Sequence, residues 1–224
     1  MKRVSILGMT VCAVALLVVP AGATSLSFEF TVDHCTGTCG GGPFGTVDVS
    51  QFAAGDVFVD VNLDPAVQGF VATGFPGSFS FNIVDPDPTI ALTFDFPGSG
   101  WHLMSTGAGS NHFDGFGDLE YVLICDACGN GGSNPQPVEL GFHVQAAGLT
   151  PESFLERSTG SAGVFFVADI LGSNGRTGPV GAELCREGCD TVQQQAAVPE
   201  PASLLFMGSG LVFAVRTARR RQRK

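Results

Sequence analysis

Six cysteines downstream of residue 24 fall in three close pairs: Cys35 with Cys39, Cys125 with Cys128, and Cys185 with Cys189. An even set at short spacing can close disulfides, bind zinc or shuttle electrons. Six cysteines allow 15 pairings, so spacing alone fixes no connectivity. Pairing within each short motif is the expectation adopted here, each bridge pinning a Gly-rich loop. Cys125-Asp126-Ala127-Cys128 has the spacing of a redox motif, but Gly129-Asn130-Gly131-Gly132 follows it, where a reactive pair would open a helix. His34, Cys35 and Cys39 could join Cys125 and Cys128 around zinc, although an oxidising compartment disfavours free thiolates.

Carboxylates are the second chemical resource. Asp114-Gly115-Phe116-Gly117-Asp118, with Glu120 just beyond, brings Asp114, Asp118 and Glu120 close in a glycine-loosened loop. Oxygen ligands in that pattern suit calcium, although the twelve-residue EF-hand spacing is absent. The plainer alternative is a solvated acidic loop. Trp101 and His102, after a Gly-rich turn, could flank a carbohydrate groove or belong to the core. Catalysis needs more: the sequence contains no G-x-S-x-G, no P-loop and no H-E-x-x-H, and a non-enzymatic chain is expected. No cofactor is required, and calcium is the candidate retained beside the zinc alternative.

These residues must be positioned by short strands. Phe28, Phe30 and Val32 alternate with polar neighbours, as do Val57, Val59, Val61 and Leu63. Phe79, Phe81 and Ile83 follow the same period of two, then Ile90, Leu92, Phe94 and Phe96, then Val138, Leu140, Phe142 and Val144. Gly163 to Ile170 is a more fully apolar strand, and Tyr121 to Ile124 another. Asp64-Pro65, Pro76-Gly77, Asp85-Pro86-Asp87-Pro88 and Pro97-Gly98 break the runs. The pattern predicts an all-β domain, an antiparallel β-sandwich of jelly-roll type. One short helix is expected over 151–157, with Thr150 as cap and Pro151 in its first turn.

Charge is unevenly placed. All but one of the 21 acidic residues lie between residues 24 and 198, against Arg157, Arg176 and Arg186, a net charge of -17 for that segment. Such a surface excludes nucleic acid as a partner.

The ends carry signals of a different kind. Lys2 and Arg3, an apolar run from Ile6 to Val19, and Ala21-Gly22-Ala23 form the pattern of a cleavable secretory signal over 1–23, the rival being an uncleaved anchor. The domain is expected over 24–184, and a linker with the third cysteine pair over 185–198. The last segment, 199–224, holds Pro199-Glu200-Pro201, an apolar stretch from Ala202 to Val215, and the basic residues Arg216, Arg219, Arg220, Arg221, Arg223 and Lys224. The apolar stretch is short but can cross a membrane as a helix if the flanking arginines snorkel. The basic end then stops translocation on the cytoplasmic side. The two prolines hold the peptide before it extended and open to an enzyme.

That tail resembles the PEP-CTERM sorting signal of Gram-negative bacteria, also known as an ice-binding protein C-terminal domain; the motif implies nothing about ice. The resemblance covers about the last 27 residues. It implies export across the inner membrane, recognition by an exosortase-type membrane transpeptidase, and processing at or near the Pro-Glu-Pro triplet. It further implies a host that makes extracellular polysaccharide, hence display at the cell surface or in a biofilm matrix with that polysaccharide as a possible partner. A carbohydrate- or calcium-binding module is the alternative, and a secreted hydrolase the third.

Overall fold

The computed structural model of the chain describes residues 25–73, 77–84, 90–96, 100–105 and 111–185. The signal segment, Cys189, Pro199 to Pro201, the apolar stretch after them and the basic end all lie outside these residues. No helix among the described residues is long and apolar enough to cross a membrane.

Alternation builds the first three strands. β1 (Ser25–Asp33), β2 (Gly45–Ala53) and β3 (Asp56–Leu63) form an antiparallel meander. Val57, Val59, Val61 and Leu63 are buried on one side of β3, as the period of two requires. Ala53 pairs with Asp56, so Ala54 and Gly55 make the turn, with Gly55 at φ +74°. A Cβ at Gly55 would meet the Ala146 carbonyl oxygen at 2.6 Å, so the position needs glycine for both its backbone angle and its neighbour.

The chain continues through β4 (Gly69–Phe70), β5 (Phe79–Phe81), β6 (Ala91–Phe96), β7 (Trp101–Ser105), β8 (Asn111–Phe113), β9 (Gly117–Leu119) and β10 (Tyr121–Cys125). It ends with β11 (Glu139–Gln145), β12 (Phe166–Leu171) and β13 (Thr177–Leu184). Ten strands join in one antiparallel sheet in the order β6-β11-β3-β2-β1-β13-β12-β5-β10-β7, with β4 added to β12. This is a correction to the expected sandwich of jelly-roll type: one continuous sheet curls into a nearly closed, barrel-like wall. The curl is visible in the core. Phe142 of β11 lies 6.0 Å from Phe79 and 5.9 Å from Phe81 of β5, six places away in the sheet order. Phe28, Phe154 and Phe166 complete the aromatic centre. Alternation specifies inner and outer faces but is the same for a split sheet and a coiled one, so it could not separate the two.

β12 is buried along its whole length because it is covered on both sides. Phe166 and Ala168 face the main core, while Val167 joins a second cluster with Phe113, Phe116, Leu119, Val122 and Val164. The β8–β9 hairpin supplies the cover. Four residues, Pro151–Phe154, form a single 3-10 turn where a helix over 151–157 was expected. Residues i and i+3 eclipse in that geometry, which lets Pro151 and Phe154 both enter the core. Thr150 and Ser153 hold its start, the Thr150 N–H donating to the Ser153 hydroxyl at 3.2 Å.

Candidate functional site

The cysteines come first. Cys35 and Cys39 are bonded to each other, with Cα atoms 5.4 Å apart, and so are Cys125 and Cys128, at 5.3 Å. Pairing within each motif is the observed connectivity for these four. Cys185 is disulfide-bonded too; its expected partner Cys189 lies outside the described residues. The zinc alternative is thereby overturned, because paired sulfurs are not thiolate ligands. His34 stacks edge-on against Phe116 at 4.6 Å instead. Among the described residues, one group of three His, Cys, Asp or Glu side chains has its ligand atoms within 4.8 Å of one another: Asp33, Cys35 and Cys39. Both sulfurs of that group are consumed by the bridge.

The two clips share a neighbour. The Asp33 carboxylate accepts the N–H groups of Cys35 at 2.8 Å and Cys39 at 2.9 Å, closing the first loop over itself. The Cys39 sulfur lies 3.5 Å from the carbonyl oxygen of Arg176, and the Asn174 amide donates to the Thr38 carbonyl at 3.0 Å. The second loop rests on β4, its Cys128 sulfur 3.4 Å from the Phe70 carbonyl oxygen. Gly132, just beyond it, sits against Leu171 and Thr177. Both clips therefore flank the turn joining β12 and β13. The chain leaves at the far end of β13, where Cys185 donates to the Ser27 carbonyl at 2.9 Å.

The predicted calcium residues are placed on the small hairpin. Asp114 is exposed at its turn. Asp118 faces His112 across the strand pair, 3.0 Å from Nδ1, and the Thr159 hydroxyl lies 3.4 Å from its other oxygen. The Glu120 N–H donates to Asn82 at 2.8 Å. These three carboxylates do not form a group of the closeness described above. Trp101 is a core residue, 7 % exposed and edge-on to Phe70 at 5.3 Å, so it offers no face to a sugar; His102 beside it pairs with Asp126 at 3.0 Å.

Two constellations escaped the reading of the sequence. On the outer face of the sheet, His143 Nδ1 lies 2.8 Å from Asp56 and Nε2 lies 3.3 Å from Asp95. These residues come from β11, β3 and β6, which are neighbours only in the folded sheet. Within the wall, Asp169 is 3 % exposed. Its carboxylate accepts the Thr73 N–H at 2.6 Å and the Thr73 hydroxyl at 2.7 Å. Burial pushes its pKa up to about 6, against the pull of the Thr73 bonds. The signal for it was available: Asp169 is the one ionisable residue in the apolar run from 163 to 170. Asp60, on the outer face of β3, also has its pKa raised, by burial and by the nearby charges of Asp48 and Glu139, against a hydrogen bond from Asn62.

No curated protein and no solved structure matches the chain. Residues 197–222 match the PEP-CTERM protein-sorting motif. The match coincides with the triplet, apolar stretch and basic end read from the sequence, and it is consistent with an exported protein sorted by an exosortase.

Proposed function

We propose that the chain is a non-enzymatic surface or extracellular-matrix protein. An exosortase-type transpeptidase recognises its tail and processes it at or near Pro199-Glu200-Pro201. The single observation that carries this reading is the sorting motif over 197–222. The signal pattern over 1–23 supplies the entry into the export route. Disulfide-clipped loops suit an oxidising compartment. Extracellular polysaccharide is the partner that the sorting route implies.

Replacing Pro199, Glu200 and Pro201 together by alanine in an exosortase-competent host tests the proposal. The variant chain is expected to accumulate in the inner-membrane fraction, and so is the unaltered chain when the host's exosortase is deleted. Surface delivery that is unchanged in both cases would refute the proposal.

A further inference from the structure

His143 is 9 % exposed although it lies on the outer face of the sheet. Phe52 of β2 covers it edge-on at 4.6 Å, and Phe58 of β3 packs beside it at 5.0 Å. Phe52 is itself 70 % exposed, so its ring forms a cap over the imidazole. Around the rim the charge is all of one sign. Asp56 comes from β3 and Asp95 from β6, while Asp48, Asp60 and Glu139 line the same outer face on β2, β3 and β11. Thr93 is the residue opposite His143 on β6, and Gln145 is the polar neighbour on its own strand. The arginines among the described residues are engaged elsewhere: Arg157 stacks over Phe165, and Arg176 lies beside Gly37.

A neutral imidazole has one N–H and one bare nitrogen, whereas the imidazolium has two donors. Both nitrogens of His143 face carboxylate oxygens, which only accept. Two donors satisfy this arrangement; one leaves a lone pair against an anion. We propose that His143 is a pH-operated clasp for the edge of the sheet. Doubly protonated, it ties β3 and β11 to the edge strand β6. When the proton on Nε2 leaves for solvent, the tie to Asp95 is lost and β6 loosens.

The geometry says which bond gives way. Asp56 is the nearer partner and the more buried, with its side chain 16 % exposed against 51 % for Asp95. Asp56 is also held by the Gln145 amide at 2.9 Å. The proton therefore stays on Nδ1, and Asp95 swings to water. Among the described residues β6 has no strand on its other side, so no second ladder retains it there. The contribution of the clasp is present while the ring carries both protons, and it is lost when Nε2 gives its proton up.

Amide hydrogen exchange in the full chain reads this directly. Protection of the β6 amides, corrected for intrinsic exchange, is measured at about pH 5 and about pH 8.5. Loss of a charged hydrogen bond should lower β6 protection by roughly tenfold at the higher pH, relative to β1 and β2. His143→Gln should abolish that fall. Should that variant not fold, Asp95→Asn keeps the shape and offers a donor to the bare nitrogen and an acceptor to the protonated one, so β6 should become insensitive to pH. The 15N shifts of His143 should report the Nδ1–H tautomer at the higher pH. β6 protection that follows β1 and β2 at both pH values, a fall that persists in the folded variants, or an Nε2–H tautomer would each overturn the proposal.

Discussion

Asp169 is where a single proton has most leverage on the described domain. Its carboxylate lies inside the wall, and its pKa is raised to about 6 from 3.8. The folded state therefore holds that proton more tightly than the unfolded chain. Stability is greatest with the group protonated, declines as pH rises between about 4 and about 6, and is level above that. The full swing is on the order of 2–3 kcal/mol, several degrees of melting temperature for a domain of this size. In Asp169→Asn the amide oxygen still accepts from Thr73, and the charge is gone. The melting curve of that variant should be flatter than that of the unaltered chain over this pH range, and equal slopes would show that the buried carboxylate does not titrate there. The core is a second place where one residue matters. Phe81 packs against Tyr121, Phe142, Phe154 and Phe166. Phe81→Ala should cost about 3–5 kcal/mol in a denaturant titration, and a loss below about 1 kcal/mol would mean that the aromatic centre refills the space.

At the scale of elements, the short disulfide loops are local clips and not long-range staples. Each closes only a few residues, so the loss of unfolded-chain entropy is worth about 2 kcal/mol per bridge. Cys35→Ser with Cys39→Ser should lower stability by about that amount and leave the sheet intact by circular dichroism; collapse of the fold would show that the loop organises the β12–β13 turn as well as resting on it. The elements were legible to differing degrees for identifiable reasons. β1, β3, β6 and β11 stood out because apolar and polar residues alternate along them, and β12 because both its faces are covered. β13, with the sequence TGPVGAEL, carries glycine and proline where the alternation should show. It escaped notice although it sits between β1 and β12 in the middle of the sheet order. Gly178 and Gly181 explain the composition, since a Cβ there would press on Cys35 and on Phe116 with Val164. The expected helix over 151–157 shrank to one turn because only Pro151 and Phe154 needed to face inward. The clips at Cys35–Cys39 and Cys125–Cys128 were anticipated from close spacing together with the export signal, although spacing by itself left the connectivity open. The His143 constellation was not, because it depends on which strands become neighbours.

Over the whole molecule, charge and address dominate. The span from 24 to 198 carries a net charge of -17 and contains no lysine. Self-repulsion of that size acts against compactness. Raising the salt from about 20 mM to about 500 mM shortens the screening length to a few ångströms, and it should raise the melting temperature at neutral pH. A melting temperature that falls would point to specific ion pairs outweighing the general field. The address was the most legible feature of all, because its three parts are contiguous in sequence and need no fold to be recognised. The acidic domain is, on this account, cargo, and the tail decides where it goes. The intact mass of the chain recovered from the surface or matrix of its host tests that most directly. The account predicts a product that begins near Thr24 and ends near Pro199-Glu200-Pro201. A mass that retains Arg216 to Lys224 would contradict it and make the protein a plain membrane-anchored one.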